Sequence, residues 1–484
     1  MIRVWSDSRS AGVLNRMQRR GSTFAYDPRA AAERAVSVTM PVRTASWNAD
    51  FGLLPIFEMN LPEGALRERL IRRFAKATGS FDDLDLLAIV GRSQIGRLRY
   101  SGLDEDLNED VPFQSIDDIL RARRDGELFT YLLESYATHS GISGVQPKVM
   151  IRARGDNISD PKVRRSPSIM SATHIVKMWD QDAYPELAAN EYFCLNVARK
   201  LGLEVPDFQL SDDGGAIVIE RFDRIDDAYL GFEDFCVLNA LGTADKYKGG
   251  YEARLFQRLR EFLAPADRPA ALDKLFRLFA LNCAIRNGDA HLKNFGITYS
   301  NVQGDLRLAP VYDLVTTWAY IPNDPMALTL GGSTRWPDRA RLIELAHVRC
   351  EIMPRKAEEA IESVADAMSS VASEAKRYFK DREHEVGPRM LAAWEAGVKD
   401  SLGLVRGLVP MAKPTHERRK LARSDGMFLE HLRQNNGRVT GSIRALASRL
   451  DLPASTLNAS VKRLSERGQI VRDGRSISLA AREV

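Results

Sequence analysis

Cysteine is scarce in this 484-residue chain: four residues, Cys194, Cys236, Cys283 and Cys350, scattered and without a Cys-x-x-Cys pair. That excludes a disulfide framework, suggests no zinc site and fits a reducing compartment. No apolar run approaches the roughly 18 residues of a membrane span. The first residues, Met1 to Asp7, lack the apolar core of a secretory signal. Internal repeats are missing too, which excludes a solenoid. These absences leave a cytoplasmic globular protein with no membrane partner.

What is present is ordinary in bulk and uneven in detail. Apolar residues make up 44% and charged residues 28%, as in most globular proteins. The net charge of +4 conceals an asymmetry. From Lys413 to Val484 there are 15 Lys and Arg against 7 Asp and Glu, so the remainder is slightly acidic. A basic tail on an acidic body suits a chain whose tail alone meets a polyanion.

The densest chemistry lies in Arg286-Asn287-Gly288-Asp289-Ala290-His291-Leu292-Lys293-Asn294-Phe295, directly after the apolar helix predicted over Leu272 to Ile285. Asp289 and Asn294 are five apart, and Asp313 follows on a strand-like run from Leu306. In phosphoryl transfer one Asp accepts the proton of the attacking hydroxyl, while an Asn and a second Asp hold the metal ions on the phosphates. Asp-x-x-x-x-Asn followed by a distant Asp is the spacing of a protein-kinase catalytic loop. Asp289 is then the base, and Asn294 and Asp313 are the metal ligands.

Earlier segments supply the matching parts. Val36 to Met40 reads as strand. Gly64 to Lys76 reads as a helix whose Arg67, Arg69, Arg72 and Arg73 make a solvated face rather than an anion site. Thr138 to Lys148 holds two serines, two glycines and a lysine, a loop whose N–H groups suit phosphate or a plain surface turn. Thr173 to Trp179 is a β-branched strand with Lys177 embedded in it. The helix from Pro185 to Leu201, closed by Gly202, carries Glu191 on its apolar stripe of Leu187, Leu195 and Ala198. A carboxylate there is best explained by an ion pair with Lys177, as in kinases; a structural salt bridge is the alternative. Ala216 to Arg224 is a buried strand running into charge, where a kinase has its hinge. Residues 295–299 and 306–308 flank a hairpin turn, and residues 340–408 are helical.

Residues 411–424 have the proline and charge of a linker. Beyond it, Asp425 to Asn436 is a helix with Met427, Phe428 and Leu432 inward, and Ser442 to Leu450 is a second. A third, after Pro453, exposes Ser455, Thr456, Asn458, Ser460, Lys462 and Arg463. A hairpin with an Asp473-Gly474 turn follows, carrying Arg472 and Arg475. This is the layout of a winged helix-turn-helix, which implies DNA as a partner.

Taken together, Ser143 to Lys148, Thr173 to Lys177, Asn190-Glu191-Tyr192, Val205-Pro206, Ile219 to Arg224, Asn287 to Phe295 and Pro310 to Asp313 resemble the HipA family of bacterial serine/threonine kinases. The resemblance implies an α+β, two-lobed kinase-like fold. Its expected parts are a β-rich subdomain over 1–105, an N-lobe over 106–235 and a C-lobe over 236–410, with the winged helix over 425–484 appended. It implies ATP and Mg2+ as cofactors. ATP is expected at Ser143, Gly144, Val145, Gln146, Lys148, Lys177, Glu220, Arg221, Phe222, His291, Lys293, Asn294, Tyr312 and Asp313. It also implies a toxin of a toxin–antitoxin system, acting on a translation factor or aminoacyl-tRNA synthetase and met by an antitoxin; an oligomer is not excluded. The family's self-phosphorylated serine is replaced by Gly141, which leaves Ser143, Ser140 or no acceptor. Two other readings compete: a nucleotide-sensing regulator and a small-molecule kinase.

Overall fold

The computed structural model describes the chain apart from residues 18–19, 79–80, 108–110, 123–126, 145, 154–170, 180–183, 226–227, 381, 383, 406–426, 433, 436, 451, 467–469, 474–475 and 480–484. The linker expected over 411–424 lies outside the described residues. The chain divides into two compact units, Met1–Val409 and Pro410–Val484.

The first unit begins with a five-stranded antiparallel sheet in the order Trp47–Ala49, Ser22–Tyr26, Arg9–Arg16, Ile2–Ser6, Leu98–Ser101. A second antiparallel sheet has the order Lys148–Ile151, His174–Met178, Ala216–Glu220, Phe208–Leu210. The pleat divides this second sheet between two environments, because alternate side chains leave opposite faces. Val149, Ile151, Val176, Met178 and Val218 pack into the same core as Val4, Leu14 and Phe24 of the first sheet. Lys148, Met150, Ile175, Lys177, Ile217 and Ile219 alternate with them, and so take the opposite face. One continuous core therefore runs across the boundary expected at 105/106.

The larger half of this unit is helical. Arg268–Ile285 is buried nearly all round, packed by Arg339–Cys350, Pro354–Phe379 and Val386–Asp400. A Cβ at Gly397 would lie 1.9 Å from the Ala284 carbonyl oxygen, so only glycine permits this helix contact. The Glu191 helix, Leu187–Lys200, ends where expected: Gly202 takes φ +82° and the Leu203 N–H bonds back to Ala198.

Two local expectations fail. Val36 to Met40 is a turn, with only a Ser37–Met40 bridge, because its polar groups go to a carboxylate instead of a neighbouring strand. The buried Glu233 accepts from Ser37 Oγ (2.7 Å), Val38 N (2.8 Å) and Tyr299 Oη (2.5 Å). The strand expected over Leu306 to Asp313 shrinks to Arg307–Leu308. Pro310 has no N–H to continue a ladder, and Asp313 sits in a left-handed conformation at φ +50°. The arginines of Gly64–Thr78 do form a solvated face: Arg67 pairs with Asp83, Arg69 with Glu134 and Arg72 with Glu68.

The second unit places helices at residues 427–432, Ile443–Arg449 and Ala454–Glu466, then strands Ile470–Asp473 and Ser476–Leu479. A third strand, Arg438–Thr440, was not anticipated. Three residues carry no alternation to read, and they become strand only because Ser476–Leu479 lies alongside. Phe428, Leu432, Leu446, Leu457, Val461 and Leu464 share the core. Two side chains differ from expectation: Met427 is exposed, and Ser460 is fully buried rather than on the outer face of its helix.

Burial pushes the Glu233 carboxyl up to about 7, against the pull of Tyr299, Ser37 and Val38. A carboxyl raised in the folded state stabilises at pH below its unfolded value, near 4.3, and that contribution is lost as pH rises to 7. Glu233→Gln should therefore be more stable, relative to the parent, at pH 8 than at pH 5. Urea midpoints at the two values check this; an equal difference at both would exclude it.

Candidate active site

A cleft of about 730 Å3 opens beside the Lys148 and Lys177 face of the second sheet and reaches Asp289, Asn294 and Asp313. Its volume lies within the usual range of small-molecule sites. Lys177 is buried in its wall. Its Nζ donates to Glu191 Oε1 at 2.5 Å and also to Asp313 Oδ1. Burial works against the Lys177 charge, but Asp313 and then Glu191 outweigh it and hold its pKa above the ordinary lysine value. Burial likewise opposes ionisation of Asp313, yet Lys177 and Lys148 hold that carboxyl well below the ordinary range. Desolvation pushes Glu191 upward.

Lys148 is Lys177's direct partner across the two strands, so the two ammonium groups share one face of the sheet. Like charges in that arrangement repel. Lys148 is 4% exposed, and its Nζ has no hydrogen-bond or ion-pair partner among the described residues. Burial, then Lys177, lower its pKa, while Asp313 opposes them. Gly144 lies against it: a Cβ there would stand 2.4 Å from Lys148 Nζ, and the residue takes φ +116°. The backbone conformation calls for glycine here, and a side chain would also displace the Lys148 ammonium.

The segment 286–295 is held by its ends. Arg286 closes the buried helix at φ +58°. Its guanidinium bonds Ser401 and Ala396 and lies 5.0 and 5.1 Å from the Trp318 and Trp336 rings. Asn294 Nδ2 donates to the Asp289 carbonyl at 2.7 Å, which fixes the loop. Asp289 keeps its carboxylate half exposed, and Oδ1 accepts from Tyr247 Oη at 2.6 Å. His291 is buried; burial lowers its pKa, and its Nδ1 has no partner.

Several residues expected at a nucleotide line the cleft but are committed to structure. Lys293 bonds the Met59 carbonyl (2.8 Å) and Asp234 (3.0 Å). Tyr312 donates to the Lys293 carbonyl and stacks on Phe222. Gln146 donates to the Met178 carbonyl. Arg221 turns away from the cleft. It clamps Asp223 at 3.0 and 2.6 Å and reaches the Ala172 and Gln94 carbonyls. Its side chain is thus unfit for the nucleotide role expected of it. Glu220 and Phe222 do border the cleft, and Ser143 and Gly144 form part of its wall. Val145 lies outside the described residues.

The acceptor serines separate sharply. Ser140 is buried, donating to the Tyr136 carbonyl and accepting from Met150 N, so its proton is committed to the backbone. Gly141 N donates to the Ser93 carbonyl, and a Cβ there would stand 2.4 Å from that same backbone oxygen. A serine does not fit. Sequence reasoning missed Glu63, Lys246 and Tyr247. Glu63 Oε1 accepts from Gly144 N at 3.0 Å and Oε2 pairs with Lys246 at 3.4 Å. Lys246 and Tyr247 sit in a turn and Glu63 in the coil before a helix, with no motif around them.

In the second unit, Thr456 is half-buried and Asn458 and Lys462 are exposed. The side chains of Ser455, Arg463 and Arg472, and all of Arg475, lie outside the described residues.

These elements define a mixed α/β protein with a charged cleft between sheet and helices, and known proteins share its fold. A HipA from Shewanella oneidensis MR-1, solved with HipB and its operator DNA, matches with a TM-score of 0.59 at 19% identity, over 84% of this chain and 98% of that one. Family models described as HipA N-terminal domain and HipA-like C-terminal domain match residues 2–101 and 140–372. The chain belongs to the HipA family. Two proteins of Sinorhizobium fredii, named "Putative kinase Y4dM" and "Putative kinase Y4mE", are 27% and 26% identical, over 72% and 79% of this chain and 77% and 94% of their own lengths. Among the described residues no helix is long and apolar enough to cross a membrane.

Lys177→Met leaves Glu191 and Asp313 without their cation. Removing one partner of a buried pair costs about 3–5 kcal/mol. Asp313 is depressed in the folded state, so its contribution is present above its unfolded value, about 3.9, and lost as pH falls through the folded one. The deficit of the variant should be largest near neutral pH and shrink on acidification. Chemical unfolding at pH 7 and at pH 3, below the unfolded value, measures it.

Proposed function

We propose that this chain is an ATP- and magnesium-dependent serine/threonine-protein kinase with a two-lobed kinase-like fold. The observation that carries the reading is Lys148: a buried ammonium beside a second lysine, at the edge of a cleft, with no anion of its own among the described residues. A buried cation without a direct ion-pair partner is costly, Asp313 acting on it only at longer range, and the phosphates of a nucleotide are the anions that would lower the cost. Lys177, oriented by Glu191, is the second phosphate contact. Phe222 and Tyr312 offer an aromatic wall for the base, with the backbone of Glu220 to Phe222 beside it.

The donor set also suits magnesium, which takes oxygen ligands and keeps part of its shell for phosphate and water. Asn294 spends its Nδ2 on the Asp289 carbonyl, which leaves Oδ1 for a cation, and Asp313 adds a carboxylate. Among the described residues no cluster of three or more His, Cys, Asp or Glu could hold a metal. The phosphates would therefore complete the shell. When bound, the ion neutralises charge developing on the transferred group. Asp289, its carboxylate half exposed on the cleft, takes the proton of the acceptor hydroxyl. Asn294 fixes the loop that carries this base.

Family membership supports a toxin acting on a translation-related protein in the cytoplasm. The operator complex of the Shewanella protein supports an antitoxin partner and DNA. Here the second unit adds three helices and a three-stranded sheet with a net positive tail, the composition of a winged helix-turn-helix that binds DNA itself.

Asp289→Ala and Asp313→Ala should each lower phosphoryl transfer to protein by at least about 100-fold, and should relieve growth inhibition on expression. Labelled ATP with cell extract measures the first, and undiminished labelling in both variants sinks the mechanism. Acid-soluble label alone would favour a small-molecule substrate. Separately, removal of residues 413–484 should abolish a DNA mobility shift together with its salt dependence; equal binding by the truncated chain assigns the unit another role.

A further inference from the structure

Among the described residues, one side-chain hydroxyl meets the Asp289 carboxylate: Tyr247 Oη donates to Oδ1 at 2.6 Å. A base must lie within hydrogen-bond reach of the proton it removes, and this phenol satisfies that condition. Tyr247 is half exposed, on a polar segment just after the turn Thr243–Asp245. Its ring meets the His291 ring edge-on, with centroids 5.0 Å apart. The neighbouring Lys246 accepts from Leu292 N through its carbonyl at 3.2 Å, which ties the segment to the Asp289 loop. The Lys246 ammonium pairs with Glu63, whose other oxygen takes the Gly144 N–H of the Ser/Gly loop. The phenol is thus set between the base and the loop expected at the phosphates. The serines do not compete for this place. Ser140 is buried with its proton given to the Tyr136 carbonyl, position 141 has no room for a side chain, and Ser143 makes no hydrogen bond to Asp289.

We propose that Tyr247 is an internal phosphoryl acceptor of this site, modified by the chain that carries it. The inference rests on the kinase reading above. Tyr247 Oη would form the new bond to the γ-phosphorus of a nucleoside triphosphate. The bond from that phosphorus to the bridging oxygen breaks, and its electron pair leaves with the nucleoside diphosphate. The phenol proton passes to Asp289 Oδ1 and then to solvent. Burial and the Asp289 contact raise the phenol's pKa, so it holds its proton until the base removes it. After transfer, the phosphate dianion faces the carboxylates of Asp289, Glu63 and Asp324, all of which act on this hydroxyl. Like charge drives the modified ring off the base.

The test uses the full chain with ATP and magnesium, followed by mass mapping of the phosphorylated residue. Phosphate on Tyr247 is expected, at a rate unchanged by diluting the protein. The label at this position should fall to background in Asp289→Asn and be absent in Tyr247→Phe. Phosphate found elsewhere on the chain or on an added protein, with Tyr247 unmodified, overturns this proposal and leaves the kinase reading standing. A rate that rises with protein concentration overturns modification within one chain. No transfer to any acceptor and no ATP consumption overturns both readings. Mapping on the unsubstituted chain decides the matter even where a variant fails to fold.

Discussion

Two lysines directly opposite each other on neighbouring strands, both buried, are the constraint around which the cleft is arranged. Such a pair is unfavourable by itself, and the surrounding elements can be read as the response to it. The Leu187–Lys200 helix brings Glu191 to one lysine, and Asp313 reaches the same ammonium from a left-handed residue just beyond a short hairpin. The second lysine has no direct ion-pair partner among the described residues, feels Asp313 only at longer range, and packs against Gly144. The result is a cleft in which two buried ammonium groups share the carboxylates of Asp313 and Glu191.

The cleft is built jointly by distant parts of the chain. Lys293 joins the Asp289 loop to Met59 and Asp234, and Arg221 with Asp223 joins the end of the Ala216–Glu220 strand to Gln94 and Gly96. Glu233 holds Ser37 and Val38. The first hundred residues therefore act as a buttress for the site rather than as a detachable module, consistent with a core shared across the expected boundary. Residues placed at the nucleotide by resemblance, such as Lys293 and Arg221, prove to be tie points of this buttress.

Much of this was legible in the sequence wherever chemistry was local or broke a pattern. Lys177 stood out as a charge in a β-branched strand and Glu191 as a carboxylate on an apolar stripe, and the two meet at 2.5 Å. The helix stop at Gly202 and the Gly296–Tyr299 hairpin follow from short-range rules. Val36 to Met40 and Arg438–Thr440 went unread for a common reason. Each is defined by a partner far away in the chain, a carboxylate in one case and a strand in the other.

The sequence by itself determined which residues could do chemistry here: Asp289, Asn294 and Asp313 at characteristic spacing, and lysines where a strand should be apolar. Only the tertiary structure decided which of them are free to do it. Burial and hydrogen bonding are properties of neighbours, so nothing in the sequence distinguishes Lys148, left without a partner, from Lys293, satisfied by Asp234. For the same reason no motif marks Tyr247. Its placement on Asp289 arises from the segment of Lys246 and Tyr247 folding against the loop of Asp289 to Leu292, a relation that exists only in three dimensions.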